Sequence, residues 1–239
     1  MNIASTPLIE LRALTKTYGR GDAEFHALRG INLSISAGEF VAVMGPSGSG
    51  KSTLMNVLGC LATPTSGSYR YENIEVELLD NNQRALLRRY TLGFVFQGFN
   101  LLARTSALEN VELPLLYRGI SRAERYEQAF AALKSVGLAD KLRNSPGELS
   151  GGQQQRVAIA RAIVTNPRTL FADEPTGNLD TQTTREVMEL LVDLNRSRGI
   201  TIVMVTHEDE VSAYARRIIR VKDGLIESDR VNNCHIKLS

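Results

Sequence analysis

The sequence contains no tryptophan and only two cysteines, Cys60 and Cys234. These lie far apart with no metal or redox spacing, which argues against a disulfide framework and fits a reducing cytoplasm. No apolar run approaches the roughly 18 residues that a membrane span needs, so any crossing is expected of another chain. Met1 to Glu10 lacks a basic segment followed by an apolar one, and no secretory leader is expected there. Charge of one sign is also missing: 28 Lys and Arg against 26 Asp and Glu leave a net charge of +2. Without a long basic block, nucleic acid is not expected as the main partner. There is no internal repeat and no low-complexity segment. What remains is a chain of 239 residues, 43% apolar, enough for one large domain or two small ones with a real core.

One stretch organises the rest: Gly45-Pro46-Ser47-Gly48-Ser49-Gly50-Lys51-Ser52-Thr53. It fits the phosphate-loop pattern G-x-x-x-x-G-K-[ST]. Phe40 to Met44 reads as a buried strand entering the loop, and Leu54, Val57, Leu58 and Leu61 fall at helical spacing behind it. Glycines let the backbone wrap so that N–H groups face an anion, and the following helix adds free N–H groups and a positive dipole end. Lys51 is expected to reach the β- and γ-phosphates of a nucleoside triphosphate, with the Ser52 hydroxyl on a bridging magnesium ion. Cys60, placed on this helix, reads as a small core residue.

Along the chain, Leu8 to Leu14 alternates as an edge-type strand, Thr15 to Ala23 is turn-rich, and Ile31, Leu33 and Ile35 mark a second strand. Pro64 to Gly67 is a turn before a strand at Ser68 to Tyr71, and Leu92 to Phe96 is a short strand ending at Gln97. From Phe99 to about Thr165 the signals are helical only. Ser121 and Glu124 form a capping box ahead of a Tyr126, Phe130, Leu133 stripe, with Gly137 as C-cap. Thr169 to Ala172 returns to strand. A helix from about Thr181 to Arg198 buries Val187, Leu190, Leu191 and Leu194 and ends at Gly199. Ile200 to Val205 reads as a buried parallel strand. A hairpin joined at Asp223-Gly224 closes the chain before a loose tail, 231–239. The predicted fold is α/β, with core segments near 7–97 and 157–230 and a helical subdomain near 98–156.

Asp173-Glu174 follows the Thr169 strand at the end where open α/β sheets bind ligands. Asp173 can orient magnesium through its water shell, and Glu174 can polarise a water for attack on the γ-phosphate. Leu149-Ser150-Gly151-Gly152-Gln153 opens a second helix with an anion-binding N-terminus, which one triphosphate does not obviously need. With Gln154-Gln155-Arg156 behind it, this stretch is similar to the signature of ATP-binding cassette (ABC) ATPases. The resemblance runs from about Leu8 to Asp229 and covers the family's motifs in order. It implies that Tyr18 stacks on adenine and that Gln97 senses magnesium. It implies a D-loop at Asn178-Leu179-Asp180, where Asp180 also suits an N-cap, and a switch histidine at His207. His26 and His235 match nothing and are expected at the surface.

The resemblance further implies a P-loop NTPase fold of the ABC type, with an antiparallel β subdomain and an inserted helical one, and ATP with Mg2+ as ligands. Two such domains are expected to pair head to tail. Ser150, Gly151, Gly152 and Gln153 of one copy would then face the ATP held by Lys51 of the other, which accounts for two anion sites. Asp173 to Asp180 and Gly151 to Arg156 look like the subgroup of macrolide exporters, lipoprotein-release ATPases and the cell-division ATPase. So does the long turn from Arg20 to His26. This implies an ATPase that powers export or membrane extraction of a macrolide, antimicrobial, peptide or lipoprotein. It would work through a separate permease, with a periplasmic adaptor as a further partner, at the cytoplasmic face of the inner membrane. The permease is expected to dock near Gln97, Phe99, Leu101 and Leu102. Two alternatives stay open: a regulatory ATPase that transmits force to an extracytoplasmic enzyme, and a soluble cassette of DNA repair or translation. The latter lacks support, because this chain has neither a long coiled-coil insertion nor a second cassette. The transported substrate is not legible.

Overall fold

The computed structural model describes residues 7–233. The chain opens with β1 (Ile9–Tyr18), a 3-10 turn at Gly21–Ala23, β2 (Phe25–Ile35), β3 (Phe40–Met44) and α1 (Lys51–Leu58). Next come β4 (Ser66–Tyr71), β5 (Ile74–Glu75), α2 (Asn81–Thr91) and β6 (Leu92–Phe96). Three helices follow with no strand between them: α3 (Ala107–Tyr117), α4 (Arg122–Ser135) and α5 (Gly151–Ile163). The chain then forms β7 (Thr169–Asp173), α6 (Thr181–Arg198), β8 (Thr201–Val205), the short α7 (Asp209–Ser212), β9 (Arg217–Lys222) and β10 (Leu225–Val231).

Two sheets result. One is antiparallel, in the order β2-β1-β4-β5; the other has the order β10-β9-β3-β8-β7-β6 and is parallel from β9 to β6. The second sheet is covered on both faces, so its central strands are continuously apolar. Side chains alternate between the faces. Val41, Val43, Phe171, Val203 and Val205 pack toward the antiparallel sheet and α1. Phe40, Ala42, Leu170, Ala172, Ile202 and Met204 pack toward α5 and α6. Helix α5 touches α3, α4 and β6, which makes it the shared member between the sheet and the helical unit proposed for residues 98–156.

Several local expectations change. Strand β1 is not an edge strand; it pairs with β2 on one side and β4 on the other. Its alternation reflects one exposed face, and it runs on to Tyr18 through a bulge where Ala13 takes φ 46° and its N–H bonds Asn32 Oδ1. That bulge is why the pattern seems to stop at Leu14. Helix α1 ends at Leu58, so Leu61 leaves the predicted stripe and is half exposed, while Cys60 is buried in the turn just beyond the helix. Helix α2 has no counterpart in the sequence reading, since only Leu87 on it is buried. The Ser121 box is half formed: Ser121 Oγ accepts the Glu124 N–H, but the Glu124 carboxylate takes the Ser121 hydroxyl rather than the backbone N–H. On α4 the buried residues are Ala129, Ala132 and Leu133, while Tyr126 stacks on Phe130 at the surface. The loose tail and Cys234 and His235 lie outside the described residues, apart from Val231, which ends β10, and the adjoining 232–233.

Candidate functional site

Sheet register places the chemistry. Val43 pairs with Val205, Val205 with Asp173, and Asp173 with Phe96, so one row crosses β3, β8, β7 and β6. The residues that leave this row at the same sheet edge are the phosphate loop, His207, Glu174 and Gln97. At about 4.8 Å per strand step, β7 stands about 10 Å from β3 and β6 about 14 Å.

Backbone crowding forces the loop's shape. Gly45 has φ 150°, and a Cβ there would fall 2.0 Å from Val221 O; Gly50 has φ 106°, and a Cβ would fall 2.5 Å from Ala27 O. Only glycine fits either position. Gly50 caps α1 without any side-chain bond, so the first N–H groups of the helix stay available. The Lys51 ammonium, almost buried, donates to Gly45 O at 2.8 Å and Pro46 O at 2.9 Å. Its third N–H remains for an anion. The Ser49 hydroxyl is buried with no hydrogen-bond partner, an orphan that a ligand oxygen would satisfy.

Facing the loop is Glu174. Its backbone is held at φ 46°, left-handed for a non-glycine residue, by its N–H bond to Val205 O at 2.9 Å. Oε1 meets His207 Nδ1 at 2.8 Å, and Oε2 is buried without a partner. This bond, and then the Glu174 charge, raises the His207 pKa above the usual histidine value. Asp173 is also pushed up, first by burial and then by the Glu174 charge, against the pull of Lys51. Pro46, Ser47, Gly48, Gly50, Lys51, Ser52 and Thr53 share one cavity of about 650 Å³ with Glu174, His207 and Phe25.

Other expected residues stand apart from that cavity. Gln97 lies against Gly177, where a Cβ would come within 2.8 Å of Nε2, and Asn178 Nδ2 donates to Gln97 O at 3.0 Å. Ser150, Gly151, Gly152 and Gln153 begin α5. Ser150 Oγ accepts from Gln153 N at 3.3 Å and Gln153 Oε1 accepts from Ser150 N at 3.0 Å, a complete capping box. By helix geometry the N–H groups of Gly151 and Gly152 have no acceptor inside the helix. Gly152 packs on Thr183 and Gly151 on Leu179. Asp180 caps α6; its carboxyl accepts the Thr183 hydroxyl at 2.6 Å and the Thr183 N–H at 2.9 Å, and these bonds, the hydroxyl's first, hold it below the usual range.

Tyr18 is outside the cavity, with Lys16 Nζ 4.9 Å above its ring centroid. Its cross-strand partner Phe25 is the aromatic that lines the cavity. Phe25 was missed because only the β1–β2 register brings it there. Glu208 follows His207 directly and does not line the cavity, but its carboxylate lies within 4.8 Å of the Glu174 and His207 ligand atoms.

The sequence matches the ABC transporter family over residues 28–177. The chain belongs to that family, as an ATPase cassette. It is 55% identical over 224 residues to the macrolide export ATP-binding/permease protein MacB of Syntrophobacter fumaroxidans, covering 93% of this chain and 31% of that protein. It is 53% identical over 228 residues to the pyoverdine export ATP-binding/permease protein PvdT of Pseudomonas aeruginosa, covering 95% and 34%. The chain thus spans about a third of the length of these curated relatives. Among solved structures, the ATP-binding cassette MJ0796, described as dimeric in a post-hydrolysis state with ADP and Pi, superposes with a TM-score of 0.87 at 46% identity, covering 94% of this chain and 99% of that one. The ABC fold expected from the motifs is therefore the fold present. Among the described residues no helix is long and apolar enough to cross a membrane.

Proposed function

We propose that this cassette binds and hydrolyses ATP as one half of a head-to-tail pair and thereby drives export or membrane extraction of a macrolide, antimicrobial, peptide or lipoprotein through a permease. One observation carries the reading. The phosphate loop, Glu174 and His207 share a single cavity, while Ser150 to Gln153, the second helix N-terminus, stand outside it. A second copy would bring Gly151 and Gly152 N–H groups to the γ-phosphate. The dimeric MJ0796 cassette supports such pairing.

In this reading Lys51, Ser49 and the loop N–H groups hold the phosphates. Phe25 meets the base, because it is the aromatic side chain that lines the cavity. Ser52 and Asp173 would hold magnesium, Asp173 through water, with Gln97 as the third residue proposed for it; the raised Asp173 pKa marks a carboxylate that gains from a nearby cation. Bound magnesium supplies charge that offsets the phosphates. Glu174 orients and polarises the attacking water, its free Oε2 being the oxygen without a partner, and His207 positions the γ-phosphate.

The names of the two relatives pair ATP binding with a permease, which supports a permease partner; the cytoplasmic face of the inner membrane is the place proposed for it. The docking side chains are revised. Leu101 is partly buried against the core and Phe99 is partly covered, with Arg161 binding the carbonyls of Phe99 and Asn100. Leu102 is half exposed, and a groove of about 560 Å³ lined by Leu61, Phe94, Phe96, Asn100, Leu113 and Tyr117 is the proposed seat. Tyr117→Asp should release the chain from its permease without lowering basal ATPase.

The central test uses Glu174→Gln. Hydrolysis should fall about a thousandfold, ATP should still bind, and sedimentation with ATP should show a dimer. A variant that binds ATP yet stays monomeric, alone and with its permease, overturns the shared site.

A further inference from the structure

Glu174, His207 and Glu208 form a group beside the phosphate loop, with which Glu174 and His207 share a cavity. One ligand atom from each lies within 4.8 Å of the others, and Glu174 Oε1 and His207 Nδ1 are 2.8 Å apart. Adjacent ligands around a tetrahedral ion with bonds near 2.0–2.1 Å stand about 3.3 Å apart, so this pair opens only slightly to accept one. Glu208 closes the third side by a side-chain adjustment, its backbone already tied by its N–H to Thr206 Oγ1 at 3.1 Å. Oε2 of Glu174 is buried with no donor, so the carboxylate keeps a lone pair that no protein group uses. The 650 Å³ cavity that reaches Glu174 and His207 is the entry path.

We propose that Glu174, His207 and Glu208 bind a borderline transition-metal ion, zinc or cobalt, and that this ion inhibits the cassette. One imidazole nitrogen and two carboxylates suit such metals, with water in the fourth position. Magnesium prefers oxygen ligands and keeps its waters, so the catalytic cation does not compete well here. Lys51 is the cation that faces the group, and its ammonium is turned to the Gly45 and Pro46 carbonyls. Binding replaces the proton shared by His207 and Glu174 with the metal. The carboxylate then coordinates the ion instead of orienting water. The inhibitory consequence rests on the hydrolytic reading of Glu174; the binding itself does not.

The experiment titrates the nucleotide-free full chain with Zn2+ by calorimetry and with Co2+ by visible absorption. One ion per chain is expected. Glu208→Gln should weaken it by at least about tenfold and raise the half-inhibitory Zn2+ concentration of the Mg-ATPase by the same factor, with basal activity retained. His207→Gln should abolish the cobalt spectrum. The double variant His26→Ala, His235→Ala should bind as the parent does. The proposal fails if Glu208→Gln binds zinc as tightly as the parent, or if the double variant loses the ion. Metal binding without any ATPase in the parent would instead count against the hydrolytic reading alone.

Discussion

Two helices in this cassette start at glycine-flanked N-termini, and their ends are built differently. At α1 the cap is Gly50, no side chain occupies the first N–H groups, and Lys51 adds a positive charge. At α5 the cap is Ser150, which exchanges hydrogen bonds with Gln153 and leaves only the Gly151 and Gly152 N–H groups open. The first end faces Glu174 and His207 across one cavity; the second meets Thr183 and Leu179 of its own chain. An open cap with a lysine is equipped to hold an anion strongly in cis. A self-capped end with two free donors is equipped to hold its shape until an anion arrives from elsewhere.

Lys51→Ala should break the strong end. The loss of one nearly buried charged donor should weaken ATP binding about 30-fold, read by fluorescent-nucleotide titration, and unchanged affinity would remove α1 as the phosphate site. At the other end Gly152→Ala places a Cβ 2.3 Å from Thr183 Cγ2. That overlap should cost about 1–3 kcal/mol in chemical denaturation. Thr183→Ser removes the clashing methyl and should restore stability. If the double variant is stable but no longer pairs in the Glu174→Gln background, Gly152 acts between chains; if pairing returns too, its glycine serves packing alone. Phe25→Ala comes next, with about a tenfold loss of ATP affinity and no loss for inorganic tripolyphosphate. Equal losses for both ligands would show a loop distortion, and a loss in Tyr18→Ala alone would return the base to Tyr18.

The difference between the two ends also explains what was legible in the sequence. Phe40–Met44 and Thr201–Val205 are buried along their whole length in the sheet centre, so their apolar runs declared them. Helix α6 was equally plain because Val187, Leu191 and Leu194 face one core and Asp180 caps it. The loop and its carboxylates were readable because their chemistry depends on local spacing. Helix α2 was not, since one buried leucine makes no stripe; its Asp80–Gln83 box was the signal available. Phe25 and Glu208 depend on strand register and on how β8 ends, which no local pattern carries. The place of Gln97 outside the cavity follows from β6 standing three strand steps from β3.

The smallest effect concerns His207, which distinguishes the α1 end by giving it a titrating neighbour. Its pKa is raised chiefly by the hydrogen bond to Glu174 and next by that carboxylate's charge. A raised folded value means the folded chain holds the proton more tightly than the unfolded one. The pair's stabilisation is therefore complete below the free imidazole's pKa of about 6.5 and fades as pH rises through the folded value. In Glu174→Gln an amide oxygen can still accept the bond, but the charge is gone. The His207 imidazole resonances, followed by NMR against pH, should then titrate at lower pH than in the parent. An unshifted titration would separate His207 from Glu174 and leave the α1 end, like the α5 end, without a group that reports its state.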